Sequence, residues 1–293
     1  MKEERLVMCC PPLKQMGEMA EESQIQITVA LPDGYEADEK RYPVCYVMDG
    51  SSTVSRTKDS VGLHELYRRI PDLLPKVIFV GIDPPGKEEI RTSAYGPPMD
   101  TDLFMDDVSR AESFHLEGCG DRFSQWIEEM VMPKIDAVYR TIPDGKNTAI
   151  IGFSSGGTFA ILTGILYPDK FTRVGCFSPS TWIWSGWFYA VLANLNREYE
   201  YRLADQTQHK FRASVKHLSH LYFYQGGEDG SSCNPQWALS EVENLYHLLR
   251  KSGAGYESHR FDFCEEGTHT ARYWKEHLAV ALRSLFTEND SYL

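Results

Sequence analysis

The stretch Ile150-Ile151-Gly152-Phe153-Ser154-Ser155-Gly156-Gly157 constrains this chain more than any other. A short apolar run over 148–151 leads straight into Gly-x-Ser-x-Gly-Gly, and a segment of helical character follows over 158–166. This pattern predicts a buried strand, then a tight strand-to-helix turn that exposes the Ser154 hydroxyl. Tyr167-Pro168-Asp169 ends the helix. Each residue type has its reason. The turn strains the backbone of Ser154. Gly152 and Gly156 lack a Cβ, so strand and helix can approach closely. The helix points N–H groups and its positive dipole end at the serine, which places the Ser155 N–H to hold an oxyanion. Gly-x-Ser-x-Gly arises by chance in roughly one chain in ten of this length, and the second glycine lowers that to about one in a hundred.

The rest of the chain alternates strand and helix patterns. Strands are expected over 25–31, 42–48, 76–82, 148–152, 173–178, 221–225 and 256–263, and helices over 60–70, 121–139, 158–166, 237–251 and 271–286. Residues 87–120 read as loop-rich. The middle strands are apolar on both faces, which implies an α/β fold with a mostly parallel central sheet and helices on both faces. With no repeat or linker, residues 1–293 read as one domain. Residues 181–217 break the alternation. They carry Trp182, Trp184, Trp187, Phe188 and Tyr189 and then a charged stretch, as an insertion or lid over the sheet's C-terminal edge would.

A net charge of −12 argues against a nucleic-acid or anionic-membrane partner, since either needs a basic face. No apolar run approaches membrane-spanning length, and no apolar region follows Met1-Lys2-Glu3-Glu4-Arg5. The seven cysteines are odd in number and lack metal-ligand spacing; Cys9 and Cys10 are adjacent, and Cys45 and Cys176 sit in apolar runs. These features lead us to expect a reducing, cytoplasmic setting and no metal or cofactor. The oligomeric state leaves no sequence signal.

Serine at its ordinary pKa is a poor nucleophile and needs a base. In an open α/β sheet such groups lie beyond the carboxyl ends of strands, here in the order serine, acid, histidine. One strand ends in Gly226-Gly227-Glu228-Asp229-Gly230, and a later one in Cys264-Glu265-Glu266-Gly267-Thr268-His269. His269 is therefore the expected base, oriented by Asp229 or alternatively Glu228. The second oxyanion donor is expected after the strand ending at Met48, from the N–H of Gly50 or Ser51.

Together these residues resemble the esterase D-like branch of the α/β-hydrolases, which includes enterochelin-type siderophore esterases, feruloyl esterases, S-formylglutathione hydrolase and mycolyltransferases. The resemblance runs from about Ile27 to Leu285. It is carried by Leu31-Pro32-Asp33-Gly34-Tyr35, Met48-Asp49-Gly50, Val80-Gly81-Ile82-Asp83 with Arg91 and Tyr95, Gly120-Asp121-Arg122-Phe123, Phe177-Ser178-Pro179-Ser180-Thr181-Trp182, and Gly267-Thr268-His269 with Trp274. Ser155 departs from the family pattern, where an apolar residue is more usual.

The resemblance implies an α/β-hydrolase fold and a serine carboxylic-ester hydrolase acting on a small-molecule ester through an acyl-enzyme. Ser154 is the implied nucleophile, His269 the base, and Asp229 or Glu228 the acid. Acyl transfer on the same triad and hydrolysis of a siderophore trilactone are the alternatives. A non-catalytic binding role fits less well with three intact site residues. Trp182, Trp184 and Trp187 are expected to line the substrate pocket.

Overall fold

The computed structural model describes all residues except 16–17, 55–61, 87, 108–109, 231–232 and 288–293, and leaves aside the side chains of 18, 88–89, 100–114 and 201. The strands are β1 (Lys2–Cys10), β2 (Ser23–Leu31), β3 (Val44–Met48), β4 (Ile78–Ile82), β5 (Asp100–Asp107), β6 (Arg110–Glu117), β7 (Thr148–Phe153), β8 (Arg173–Phe177), β9 (Glu198–Arg202), β10 (Gln208–Arg212), β11 (His220–Gly226) and β12 (Ser258–Cys264). The α-helices are α1 (Gly50–Thr53), α2 (Leu63–Arg69), α3 (Glu88–Tyr95), α4 (Gly120–Trp126), α5 (Met132–Val138), α6 (Ser155–Leu166), α7 (Ser185–Leu192), α8 (Pro235–Lys251) and α9 (Ala271–Phe286).

Eight strands form one sheet in the order β1-β2-β4-β3-β7-β8-β11-β12. The neighbours from β4 to β12 pair in parallel, while β1–β2 and β2–β4 are antiparallel. The pleat divides the core in two. Tyr46, Ile150, Val174 and Phe223 pack with residues of α4 to α8, such as Phe123, Phe159 and Val242. Their chain neighbours Cys45, Ile151 and Tyr222 face the other way, against Tyr67 of α2 and Leu278 and Leu282 of α9. Burial on both faces explains why these strands read as continuous apolar runs. Cys45 and Cys176 are fully buried, and all seven cysteines are free thiols. No helix among the described residues is long and apolar enough to cross a membrane.

Some elements differ from expectation. β1 runs through the charged N-terminus and pairs along its length with β2. Its alternating exposure marks a strand with one wet face, a pattern that the charges obscure. Residues expected to be loop-rich contain α3 and a two-stranded ribbon, β5–β6. Its strands, DTDLFMDD and RAESFHLE, pair only with each other and lack apolar alternation. The helix expected over 121–139 contains a π-helical turn at Ile127–Val131 between α4 and α5. The expected start of α2, at Ser60, falls outside the described residues. Residues 181–217, expected as an insertion, contain α7 and the β9–β10 hairpin.

Candidate active site

Ser154 sits between β7 and α6 with φ 56° and ψ −130°, a conformation held by its surroundings. Its N–H donates to Phe177 O at 2.9 Å, and its carbonyl accepts from Gly157 and Thr158 in the first turn of α6. A Cβ on Gly152 would stand 1.9 Å from Gly156 O, so only glycine lets strand and helix cross here. α6 is buried from Ser155 to Ile165, which fixes the turn rigidly.

The other residues of the site follow neighbouring strands at the same sheet edge. Past β11, Asp229 is 3% exposed, whereas the Glu228 side chain is exposed. Past β12, His269 Nδ1 lies 2.6 Å from Asp229 Oδ1. Of the two candidate acids, Asp229 is thus the one that meets the imidazole. The two loops are held together closely: a Cβ on Gly226 would be 2.2 Å from Gly267 O, and Glu228 N–H donates to Gly267 O. The His269 ring is edge-on to Trp274 at 5.2 Å, and Trp274 Nε1 donates to Ser178 Oγ at 2.9 Å.

Ser154 and His269 open onto one cleft of about 650 Å³. The Ser154 hydroxyl bonds to Ser180 Oγ at 3.3 Å rather than to the imidazole. Past β3, Asp49 takes a left-handed conformation (φ 58°) and starts α1 with Gly50. The Ser51 N–H donates to Asp83 Oδ1 at 2.7 Å, so of the two expected donors it is already engaged. Gly156 abuts this corner, since a Cβ there would be 3.0 Å from Asp49 Oδ2. The start of α6 thus lies against the turn that starts α1.

Sequence reasoning assigned no role to several residues of the cleft. Arg91 binds Asp49 with two hydrogen bonds, Nε to Oδ1 at 2.7 Å and Nη2 to Oδ2 at 2.8 Å. Tyr95 reinforces the corner, accepting from Asp49 N–H. Asp83 also lines the cleft, and burial pushes its carboxyl above the ordinary range, aided by Asp49 and opposed by hydrogen bonds from Ser51. The available signal was position: Asp49 and Asp83 each directly follow a parallel strand.

The three tryptophans do not line this cleft. Trp184 and Trp187 are 1% and 7% exposed and pack the insertion onto the core; the indole of Trp184 fills the space where Gly96 would carry a Cβ. Trp182 instead stacks at an angle on Trp237, with ring centres 5.6 Å apart.

A model of the family described as "Putative esterase" matches residues 19–285. The uncharacterized protein YbbA of Bacillus subtilis is 23% identical over 274 residues, covering 92% of this chain and 95% of that one. The apo-salmochelin esterase of Escherichia coli is 21% identical over 216 residues, 72% of this chain and 60% of its own length. An IroE-like serine hydrolase structure from Shewanella oneidensis superposes with a TM-score of 0.69 at 18% identity, covering 97% of this chain and 80% of that one. That superposition is evidence of a shared fold, of the α/β-hydrolase type.

Proposed function

The chain belongs to this esterase family and is a hydrolase acting on esters; from that premise we propose that it works by serine catalysis through an acyl-enzyme. The observation that carries the reading is the 2.6 Å contact between His269 and a buried Asp229, beside a serine in strained backbone. Ser154 Oγ turns from Ser180 toward His269 Nε2, gives up its proton and attacks the ester carbonyl. Asp229 holds the Nδ1–H tautomer and stabilises the imidazolium. The N–H groups of Gly50 and Ser155 receive the oxyanion. The imidazolium then protonates the leaving alcohol, and water activated by His269 releases the acid from Ser154. Trp274 and Phe153 form the apolar wall of the cleft.

Hydrolysis of p-nitrophenyl acetate and butyrate by the native protein and by Ser154→Ala tests the reading. Turnover with a pre-steady-state burst, absent from the variant, is the expected result. Activity that survives in Ser154→Ala would overturn it. A siderophore lactone is a second substrate reading, supported by the likeness to apo-salmochelin esterase. It predicts turnover of such a lactone far above that of the p-nitrophenyl esters.

A further inference from the structure

Among the described residues, four charged or titratable side chains line the cleft beside Ser154: Asp49, Asp83, Arg91 and His269. Three are matched. Arg91 and Asp49 neutralise each other through paired hydrogen bonds, and His269 meets Asp229. Asp83 forms no salt bridge among the described residues; the charge of Arg5 favours its ionised form, but less than Asp49 opposes it. Its Oδ1 accepts the Ser51 N–H, a neutral donor. Its carboxyl is partly buried, with the Asp49 carboxylate nearby. A charge that is incompletely solvated and incompletely paired raises the free energy of the empty cleft, and a cation entering the cleft would relieve it.

The same cleft carries an aromatic wall. Phe153 and Trp274 stand 5.2 Å apart, and Trp274 has already committed its N–H to Ser178. Its ring packs with Phe153 and His269, and the aromatic surface with which it lines the cleft attracts cations. Together, an incompletely compensated carboxylate and an indole wall form a site for an ammonium group.

Resting on the serine-esterase reading, we infer that the cleft selects esters carrying a positively charged ammonium group near the scissile bond, with Asp83 as the specificity-determining residue. The wall formed by Phe153 and Trp274 covers the ammonium's apolar substituents. Anionic esters are disfavoured by the same carboxylate.

The test uses a charged molecule and its uncharged isostere. Binding of choline and of 3,3-dimethylbutan-1-ol to the full chain is measured by calorimetry, for the native protein and for Asp83→Asn. Asparagine keeps an acceptor for the Ser51 N–H. The inference expects choline to bind the native protein at least about tenfold more tightly, ~1.4 kcal/mol, and this ratio to collapse toward one in Asp83→Asn. Equal binding of the two molecules to the native protein overturns it, whether or not the variant folds. A ratio that persists in a folded Asp83→Asn also overturns it. The kcat/KM ratio of acetylcholine to 3,3-dimethylbutyl acetate should move in the same way. Because binding needs no turnover, failure here is distinct from failure of the esterase reading, which Ser154→Ala tests.

Discussion

Asp229 Oδ1 stands 2.6 Å from His269 Nδ1 although the two residues are 40 positions apart in the chain. The contact is set by backbone. β11 and β12 run parallel and in register, from His220 beside Ser258 to Gly226 beside Cys264. The loops that follow them touch where Gly226 leaves no room for a side chain against Gly267 O. Asp229 turns inward and Glu228 outward.

The pair makes the first prediction. Asp229→Asn keeps the shape but favours the wrong imidazole tautomer, so kcat for p-nitrophenyl acetate should fall by about 10³–10⁴-fold. Glu228→Gln should leave kcat at the native value. Steady-state kinetics on both variants checks this; equal losses would return the acid role to an open choice.

The resting hydroxyl of Ser154 gives the second. Its bond to Ser180 Oγ is long, 3.3 Å, and must break before His269 can take the proton. A neutral hydrogen bond of this kind contributes about 0.5–1.5 kcal/mol net. Ser180→Ala should therefore speed modification of Ser154 by a fluorophosphonate several-fold. A slower reaction would instead make Ser180 a residue that holds Ser154 in its attacking orientation.

The third concerns the insertion. Because Trp184 is buried against Gly96, Trp184→Ala removes core packing rather than pocket wall. It should lower unfolding stability by about 3–5 kcal/mol while leaving the acetate-to-butyrate rate ratio as it was. Denaturant unfolding and the two assays separate these effects.

Strands and helices that bury apolar residues in a fixed period were legible in the sequence, because period follows directly from burial. Helix α9 over Ala271–Phe286 and strand β3 over Val44–Met48 are such cases. β1 and the β5–β6 ribbon were not, because pairing between backbones holds them and their side chains carry little periodicity. At the site, the places of Ser154 and His269 were legible because one sits in a strand-to-helix turn and the other in the loop that follows a strand. The choice between Asp229 and Glu228 was not, since adjacent residues differ only in which way a loop turns them. The burial of Trp184 and Trp187 was not legible for a related reason: an aromatic cluster looks the same in sequence whether it faces a cleft or a core.

The last prediction follows from a buried histidine outside the site. His220 opens β11 at 4% exposure. Arg173 Nη1 donates to its Nε2 at 3.3 Å, so the other nitrogen carries the proton and faces Ser219 Oγ at 2.7 Å. Glu257 is the nearest carboxylate, 3.8 Å from Nδ1. Burial first, and then the Arg173 charge, push the His220 pKa from 6.5 down to about 4. In the unfolded chain the ring protonates near pH 6.5, while in the folded chain it stays neutral until near pH 4. Between those values the unfolded state binds more protons, so acidification favours unfolding. The contribution is fully present above pH 6.5 and is lost as pH falls toward 4, with a limiting slope of about 1.4 kcal/mol per unit. His220→Gln, which removes the titrating group, should flatten this part of the stability curve. Urea unfolding of both proteins from pH 7 to pH 4 measures the two slopes. Parallel curves would mean that carboxylates elsewhere, not His220, set the acid sensitivity of the fold.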